Sequence, residues 1–466
     1  MKCERHYVVT SDLSSDAYDT SRLGIIIRDS EGAFYQSRIE CEKTVRQIES
    51  ELDRHALLID PEMSNPNPET KINYVAIDGT RDILEGQTHA RLFAGAFAVY
   101  GEFNKTVDIT EIQRSCAFSV VSLPYKILTS GNDYITESAG SVTNLLMLLA
   151  EIYVAKTYAD NDSKDLDLIL LDRPLCGTLA HTRTALSQHS ILKKLGAKNI
   201  QNDKNLDSAI PIFEDICKRL FVESLAEPLK IEGEHLSSDD LMYLCRVGMN
   251  ALFRICKEKN IELVGVTKTT NDCSFLRLLI TLNAMEGRDT KKIYKILSQI
   301  DDCKMLGSWI SPYQKLVCTR EYDTALMTIM VDESKKLREL GGGGQAPQKL
   351  IVRSYMSFGL PNKGGFIFAV ERLVLKNEKS PTIMLPKNTE IYLYAKEGNK
   401  SQLNIFHLLK NMCTGAFPEA LYYPLPLALS HRFAKSNFDY IRPRLKATSR
   451  VFGTEYGFND LKREYT

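Results

Sequence analysis

The stretch LDLILLD, Leu166–Asp172, limits the folds open to this chain more than any other. Its consecutive apolar residues, Leu168 to Leu171, lack the alternation of a strand with one wet face. Such a run reads as a strand buried on both sides, in a sheet covered by helices above and below. It then closes on a carboxylate. Asp172 must lie at an edge or find a partner, because an unpaired buried charge is very costly. A metal ion is one such partner; a strand-end or capping role is the plainer one. YVAIDGT, Tyr74–Thr80, repeats the pattern with Asp78. That aspartate is expected at the end of its strand, where the backbone opens toward a cleft and Gly79 permits a turn or a close approach. Asp-Gly is also a strong turn signal, so a turn before a hairpin is the alternative.

The surrounding elements extend this reading. After YVAIDGT come RLFAGAFAVYG (91–101) and CAFSVVSLPYKIL (116–128), short β-branched and aromatic runs that suit an antiparallel meander. Val142 to Lys156 reads as a helix, apolar nearly all round and therefore buried. Three strands, a helix and a central strand is the opening order of the ribonuclease H-like fold. The expected class is α/β, a mixed central sheet flanked by helices, with helical insertions.

Four segments are expected along the chain. Residues 1–70 form an accessory helical segment, with Ile39, Val45, Ile48 and Leu52 at helical spacing, and 71–200 the first half of the core. Residues 201–345 are mainly helical with one core strand, IELVGVTKT (261–269), and 346–466 complete the core with a strand pair and helices. In 241–255 the residues at 241, 244, 245, 248, 249, 252 and 255 make one helical stripe. LGGGGQAPQ (340–348) reads as a flexible joint.

Lysine plus arginine and aspartate plus glutamate each number 59, so the chain is formally neutral. That argues against a body coated in basic charge but not against a local basic groove. The 11 cysteines include no CxxC pair, against a zinc ribbon or a thioredoxin-like site. No signal-like apolar stretch opens the chain and none approaches bilayer length, so a reduced, cytoplasmic protein that does not enter a membrane is expected. GxGxxG and GxxxxGK[ST] are both missing, which disfavours a nucleotide-binding enzyme.

Glu151 is the only charged residue in LLMLLAEIYVA (145–155), so a buried helix buries it too. Its partner is then a basic side chain, Lys156 among them, or a metal. Acids on separate elements suit a hard cation, Mn²⁺ or Mg²⁺, which prefers oxygen ligands. Two such ions about 3.5–4 Å apart can hold the attacking and leaving oxygens of a phosphodiester. Lys268 ends LVGVTK and can contact a phosphate or simply be solvated. His431, on a helix begun by Pro424 and Pro426, means little alone. Arg432, Lys435, Arg442 and their basic neighbours, with aromatics among them, suit single-stranded nucleic acid or a solvated face.

Taken in order, IDGT, a glutamate on a buried helix, LILLDRPL, LVGVTKT, a strand pair ending in VER and YYPLPLALSHR resemble the NurA nuclease family over roughly residues 70–440. The resemblance implies a ribonuclease H-like homodimer that cuts single- and double-stranded DNA with manganese, with endonuclease and 5′-to-3′ exonuclease activity. It also implies a hexameric HerA-type ATPase as partner, in DNA end processing or defence against foreign DNA. By position, Asp78, Glu151, Asp172 and His431 match the family's metal ligands and Lys268 a lysine near the site. Tyr355 and Glu371 fall in its late strand pair. The chain departs from the family at Arg173-Pro174, where proline stiffens the turn and an arginine beside the metal can pair with Asp172. A non-catalytic docking or DNA-clamping subunit is the alternative.

Overall fold

The computed structural model describes residues 36, 39–55, 71–85, 89–104, 106–113, 121–124, 135–162, 165–175, 207, 209–221, 230–231, 234–235, 238–268, 273–285, 287–297, 300–310, 316–324, 329–331, 337–339, 351–359, 366–375, 382–385, 389–392, 400–413 and 422–451. Its first named helix is α1 (Glu49–His55). Four strands follow, β1 (Ile72–Glu85), β2 (His89–Asn104), β3 (Thr106–Gln113) and β4 (Val121–Pro124), then α2 (Ile135–Asp160) and β5 (Leu168–Leu171). The middle holds α3 (Ile210–Phe221), β6 (Lys230–Ile231), β7 (Glu234–His235), α4 (Ser238–Lys259) and β8 (Glu262–Thr267). Next come α5 (Ser274–Met285), α6 (Lys291–Leu297), α7 (Asp302–Ile310), β9 (Tyr322–Asp323), β10 (Ile329–Val331) and β11 (Leu337–Glu339). The last elements are β12 (Ile351–Ser357), β13 (Ile367–Leu373), β14 (Thr382–Leu385), β15 (Thr389–Tyr392), α8 (Lys400–Met412) and α9 (Leu425–Val451).

Nine strands make one sheet, in the order β3-β2-β1-β5-β8-β13-β12-β9, with β4 pairing β2 off that path. β1, β2 and β3 are an antiparallel meander, while β5 lies parallel to β1 and β8 parallel to β5. The chain therefore runs outward through the meander, returns to the other side of β1, and continues through β5 and β8. That is the ribonuclease H-like strand order, in an α/β fold. The β12–β13 hairpin expected from the sequence extends it, with β13 antiparallel to β8.

The strands expected from sequence are present with two differences. The third meander strand is TVDITEIQ, Thr106–Gln113; of the run at 116–128, the described residues Val121–Pro124 form β4, which pairs with the opposite end of β2. Asp78-Gly79 neither ends a strand nor makes a turn. β1 continues through both to Glu85, and Asp78 stands opposite Phe97 of β2. A neighbouring strand paired along its whole length outweighs the local turn preference of Asp-Gly.

Each face of the sheet is covered. Val75, Ile77, Ile169, Leu171 and Leu263 point to a core shared with α2, α3 and α4. Tyr74, Ala76, Leu168, Leu170, Val264 and Val266 point to the opposite core, with α8 and the start of α9. This period of two, buried on both sides, is what an apolar central strand encodes. α2 lies between the sheet and α4, which is why it is buried nearly all round. The stripe expected on α4 is buried from Leu241 to Ile255, but Tyr243, Val247 and Phe253 are buried too, so α4 is enclosed on more than one side.

A further core joins α1, α5, α6 and α7 to the β12 end of the sheet; Val45, Ile48 and Leu52 pack there, against Phe275, Leu279 and Trp309 among others. The middle of the chain also carries β9, which joins the main sheet beside β12, and the short ladders β6–β7 and β10–β11, beyond the single core strand expected. The glycine-rich 340–348 lies outside the described residues. Among the described residues, no helix is long and apolar enough to cross a membrane.

Candidate metal centre

Strand alternation decides which side chains can meet. Asp78 shares the face of Tyr74 and Ala76; Asp172 continues the parity of Leu168 and Leu170, and Lys268 that of Val264 and Val266. Asp172 and Lys268 therefore follow the carboxyl ends of β5 and β8, Asp78 lies level with them in the middle of β1, and all three share the face covered by α8 and α9. The backbone reinforces the alignment, for Asp172 N donates to Ile77 O at 3.2 Å. These strands flank the point where the strand order reverses, a natural crevice in open α/β sheets.

α9 supplies the third group. Its entry is set by Pro424 and Pro426, which sit where a first-turn N–H has no helical acceptor. One turn later His431 Nδ1 lies 2.7 Å from Asp78 Oδ2. Asp78, Asp172 and His431 each offer a ligand atom, and these atoms all lie within 4.8 Å of one another. Asp78 is 7% exposed, and its Oδ1 accepts from Gly79 N at 2.8 Å. Burial pushes its carboxyl above the usual range, with the His431 hydrogen bond pulling against that. The same bond raises the His431 imidazole above its ordinary value.

Asp172 is held from two sides. Lys268 Nζ is 2.8 Å from Oδ2, and the Tyr423 hydroxyl donates to Oδ1 at 2.7 Å. Lys268 also lies 4.0 Å from the centre of the Tyr423 ring, a cation–π contact. Tyr423 is fully enclosed, and burial holds its phenol well above the usual range, so it stays a donor. This tyrosine belongs to the YYPLPLALSHR motif, but the motif assigns it no role. It lies eight residues before His431, and only the folded chain brings it to Asp172.

Glu151 approaches from the other face. It is 3% exposed on α2, and its Oε2 accepts from Arg173 Nη1 at 2.7 Å. Its Oε1 lies over Gly79, where a Cβ would overlap it and Met147 Cγ. Burial pushes this carboxyl up to about 8, with the Arg173 guanidinium pulling against it. Arg173 was expected beside Asp172; it reaches Glu151 instead, because one residue further along the chain the side chain points to the opposite face. Its backbone carbonyl packs on Gly265 of β8, where a Cβ would collide with it. Lys156, the other candidate partner of Glu151, is bound to Asp160 and Glu214.

The remaining candidates stand elsewhere. Arg432 and Lys435 are exposed on α9 close to His431. Arg442 falls on the same helix, and its side chain is outside what the structure describes. Tyr355 and Glu371 belong to the further core. Tyr355 donates to Asp302 at 2.6 Å, and Glu371 accepts from Arg353 Nε at 2.8 Å. Both are packing and pairing residues of β12 and β13.

Two carboxylates and an imidazole on three elements, with a half-exposed histidine at the rim, fit a hard or borderline divalent ion. The fit is chemical as well as spatial. Buried carboxylates are costly without positive charge, and Lys268 and Arg173 supply it here.

No family model matches the chain, and no curated protein matches it. Among solved structures it is similar to the NurA nuclease from Sulfolobus solfataricus, at a TM-score of 0.48 and 14% identity over 91% of this chain and 97% of that one. It is also similar to NurA bound to dAMP and manganese, at 0.40 and 14% identity over 86% and 92%. A third is NurA with manganese, at 0.40 and 13% identity over 91% and 98%.

Proposed function

We propose that this chain is a metal-dependent deoxyribonuclease that hydrolyses phosphodiester bonds in single- and double-stranded DNA. The observation that carries the reading is the Asp78–Asp172–His431 group, where mid-β1, the carboxyl end of β5 and α9 meet. Mn²⁺ or Mg²⁺ would be held by these three side chains. When bound, such an ion supplies a hydroxide-like nucleophile near neutral pH and screens the charge that develops on the phosphate.

The chain's own residues do the rest. Tyr423 fixes the rotamer of Asp172, so that its second oxygen is presented in one direction. Lys268 is about a third exposed, and can leave Asp172 for a phosphate oxygen once an ion takes over that carboxylate. His431 would offer a ring nitrogen to the ion, and its hydrogen bond to Asp78 holds the imidazole at the rim of the site. Arg432 and Lys435 face solvent beside it and suit the backbone of an incoming strand.

The ordered motifs motivate the finer reading: endonuclease and 5′-to-3′ exonuclease activity, a cytoplasmic homodimer, and a HerA-type hexameric ATPase that delivers DNA for end processing or defence. A second reading has its own support. Lys268 and Arg173 neutralise two of the acids internally, as a non-catalytic docking subunit of that ATPase would tolerate.

The test is cleavage of end-labelled single- and double-stranded DNA with Mn²⁺, Mg²⁺ or EDTA. Wild type should cut only with metal. Asp78→Ala should lose about 10³-fold or more, equal to ~4 kcal/mol of transition-state stabilisation, with an unchanged circular dichroism spectrum. Full activity in Asp78→Ala would sink the assignment. Absence of cleavage and of Mn²⁺ binding, with altered ATP hydrolysis by the partner, would establish the docking subunit.

A further inference from the structure

The acid–cation pair behind Gly79 bears on how many metal ions the site takes. Glu151 is buried, and one of its oxygens is bonded to Arg173. The other occupies the hollow left by the missing side chain of Gly79, next to Asp78. Arg173 follows Asp172 directly, and its carbonyl is seated on Gly265, so the guanidinium swings from a fixed root. Among the described residues, the group whose ligand atoms converge holds Asp78, Asp172 and His431 and leaves out Glu151.

We propose that this chain holds a single metal ion, on Asp78, Asp172 and His431, and that the Arg173 guanidinium is the site's fixed second positive charge, engaging Glu151 in place of a second ion. The inference rests on the nuclease reading and makes Arg173 a positioning residue within it. A guanidinium does not lose its proton at any working pH, so Glu151 stays neutralised whether or not metal is present. A second ion on Glu151 would have to displace Arg173 and leave it largely buried beside two other cations. Removing one partner of a buried pair is strongly unfavourable, and like charge at that range adds to it. Arg173 and Lys268 already bring two positive charges to these acids, so a second divalent ion would add charge that no side chain of the cluster offsets.

The test counts ions rather than turnovers. Mn²⁺ is titrated into the full chain by calorimetry, and the bound ions are examined by electron paramagnetic resonance. Wild type is expected to bind one Mn²⁺ per chain with the spectrum of an isolated ion. Arg173→Ala, which frees Glu151, is expected to bind two, with a spin-coupled spectrum. Arg173→Lys keeps the charge and is expected to bind one. Two coupled ions in wild type, one ion in folded Arg173→Ala, or two in Arg173→Lys would each overturn the proposal and leave the nuclease reading standing. If Arg173→Ala does not fold, the wild-type count alone decides. No ion bound to wild type, together with no cleavage, would bring down the nuclease reading and the proposal with it.

Discussion

At the scale of single residues, the His431–Asp78 contact should make metal binding at the proposed site sensitive to pH. Asp78 raises the His431 imidazole above its ordinary value, so at mildly acid pH the ring is protonated and bonded to the carboxylate. An ion must displace that proton, so affinity is low below the shifted titration, rises through it and levels off above it. Mn²⁺ calorimetry at pH 6, 7 and 8 should therefore show tightening with pH, and His431→Gln should flatten the profile. An unchanged affinity across that range would mean that His431 is not a ligand. Gly79 answers to packing instead. A methyl there meets Glu151 and Met147, both anchored in the core. Gly79→Ala should cost about 1–3 kcal/mol of stability in urea unfolding. A neutral substitution would show that Glu151 is not confined against β1.

At the scale of elements, one carboxylate ties two helices to the sheet. Asp302, first residue of α7, accepts from Phe275 N at 2.7 Å and Leu276 N at 3.0 Å in the opening turn of α5, and from the Tyr355 hydroxyl of β12. Burial pushes its carboxyl up to about 7 even so. Asp302→Ala orphans two buried N–H groups and a phenol, and should cost about 3 kcal/mol by denaturant unfolding. A loss under ~0.5 kcal/mol would show that α5 needs no such cap. Element types were largely legible in the sequence, since LILL, LVGV and the apolar helix before them carry their burial in their periodicity. β3 was not legible. TVDIT alternates as a half-exposed strand does, but Glu111 breaks the period and the more apolar run at 116–128 competes with it for third place in the meander. The path of β1 past Asp78 was hidden because pairing along all of β2 decides it. The site divides likewise. Asp78 and Asp172 are marked by the apolar runs that precede them, whereas His431 had only its place in an ordered series of motifs. Tyr423, and the Glu151–Arg173 pairing, depend on contacts between segments that no local pattern reports.

At the scale of the whole molecule, equal numbers of acids and bases leave no general attraction for a polyanion. Binding of DNA by this chain alone should be weak and should fall with salt. Two phosphate contacts predict about a tenfold loss of affinity for a fourfold rise in salt. Tight, salt-insensitive binding in fluorescence anisotropy would contradict a locally basic groove on a neutral body. The spacing of the three proposed ligand residues has a consequence for how the protein is made. Asp78 and His431 are 353 positions apart in the chain. A nascent or proteolysed polypeptide that stops short of α9 can complete the sheet and still lack the third ligand. Whatever hydrolytic hazard the finished site poses to a cell's own genome is thus withheld from partial translation products.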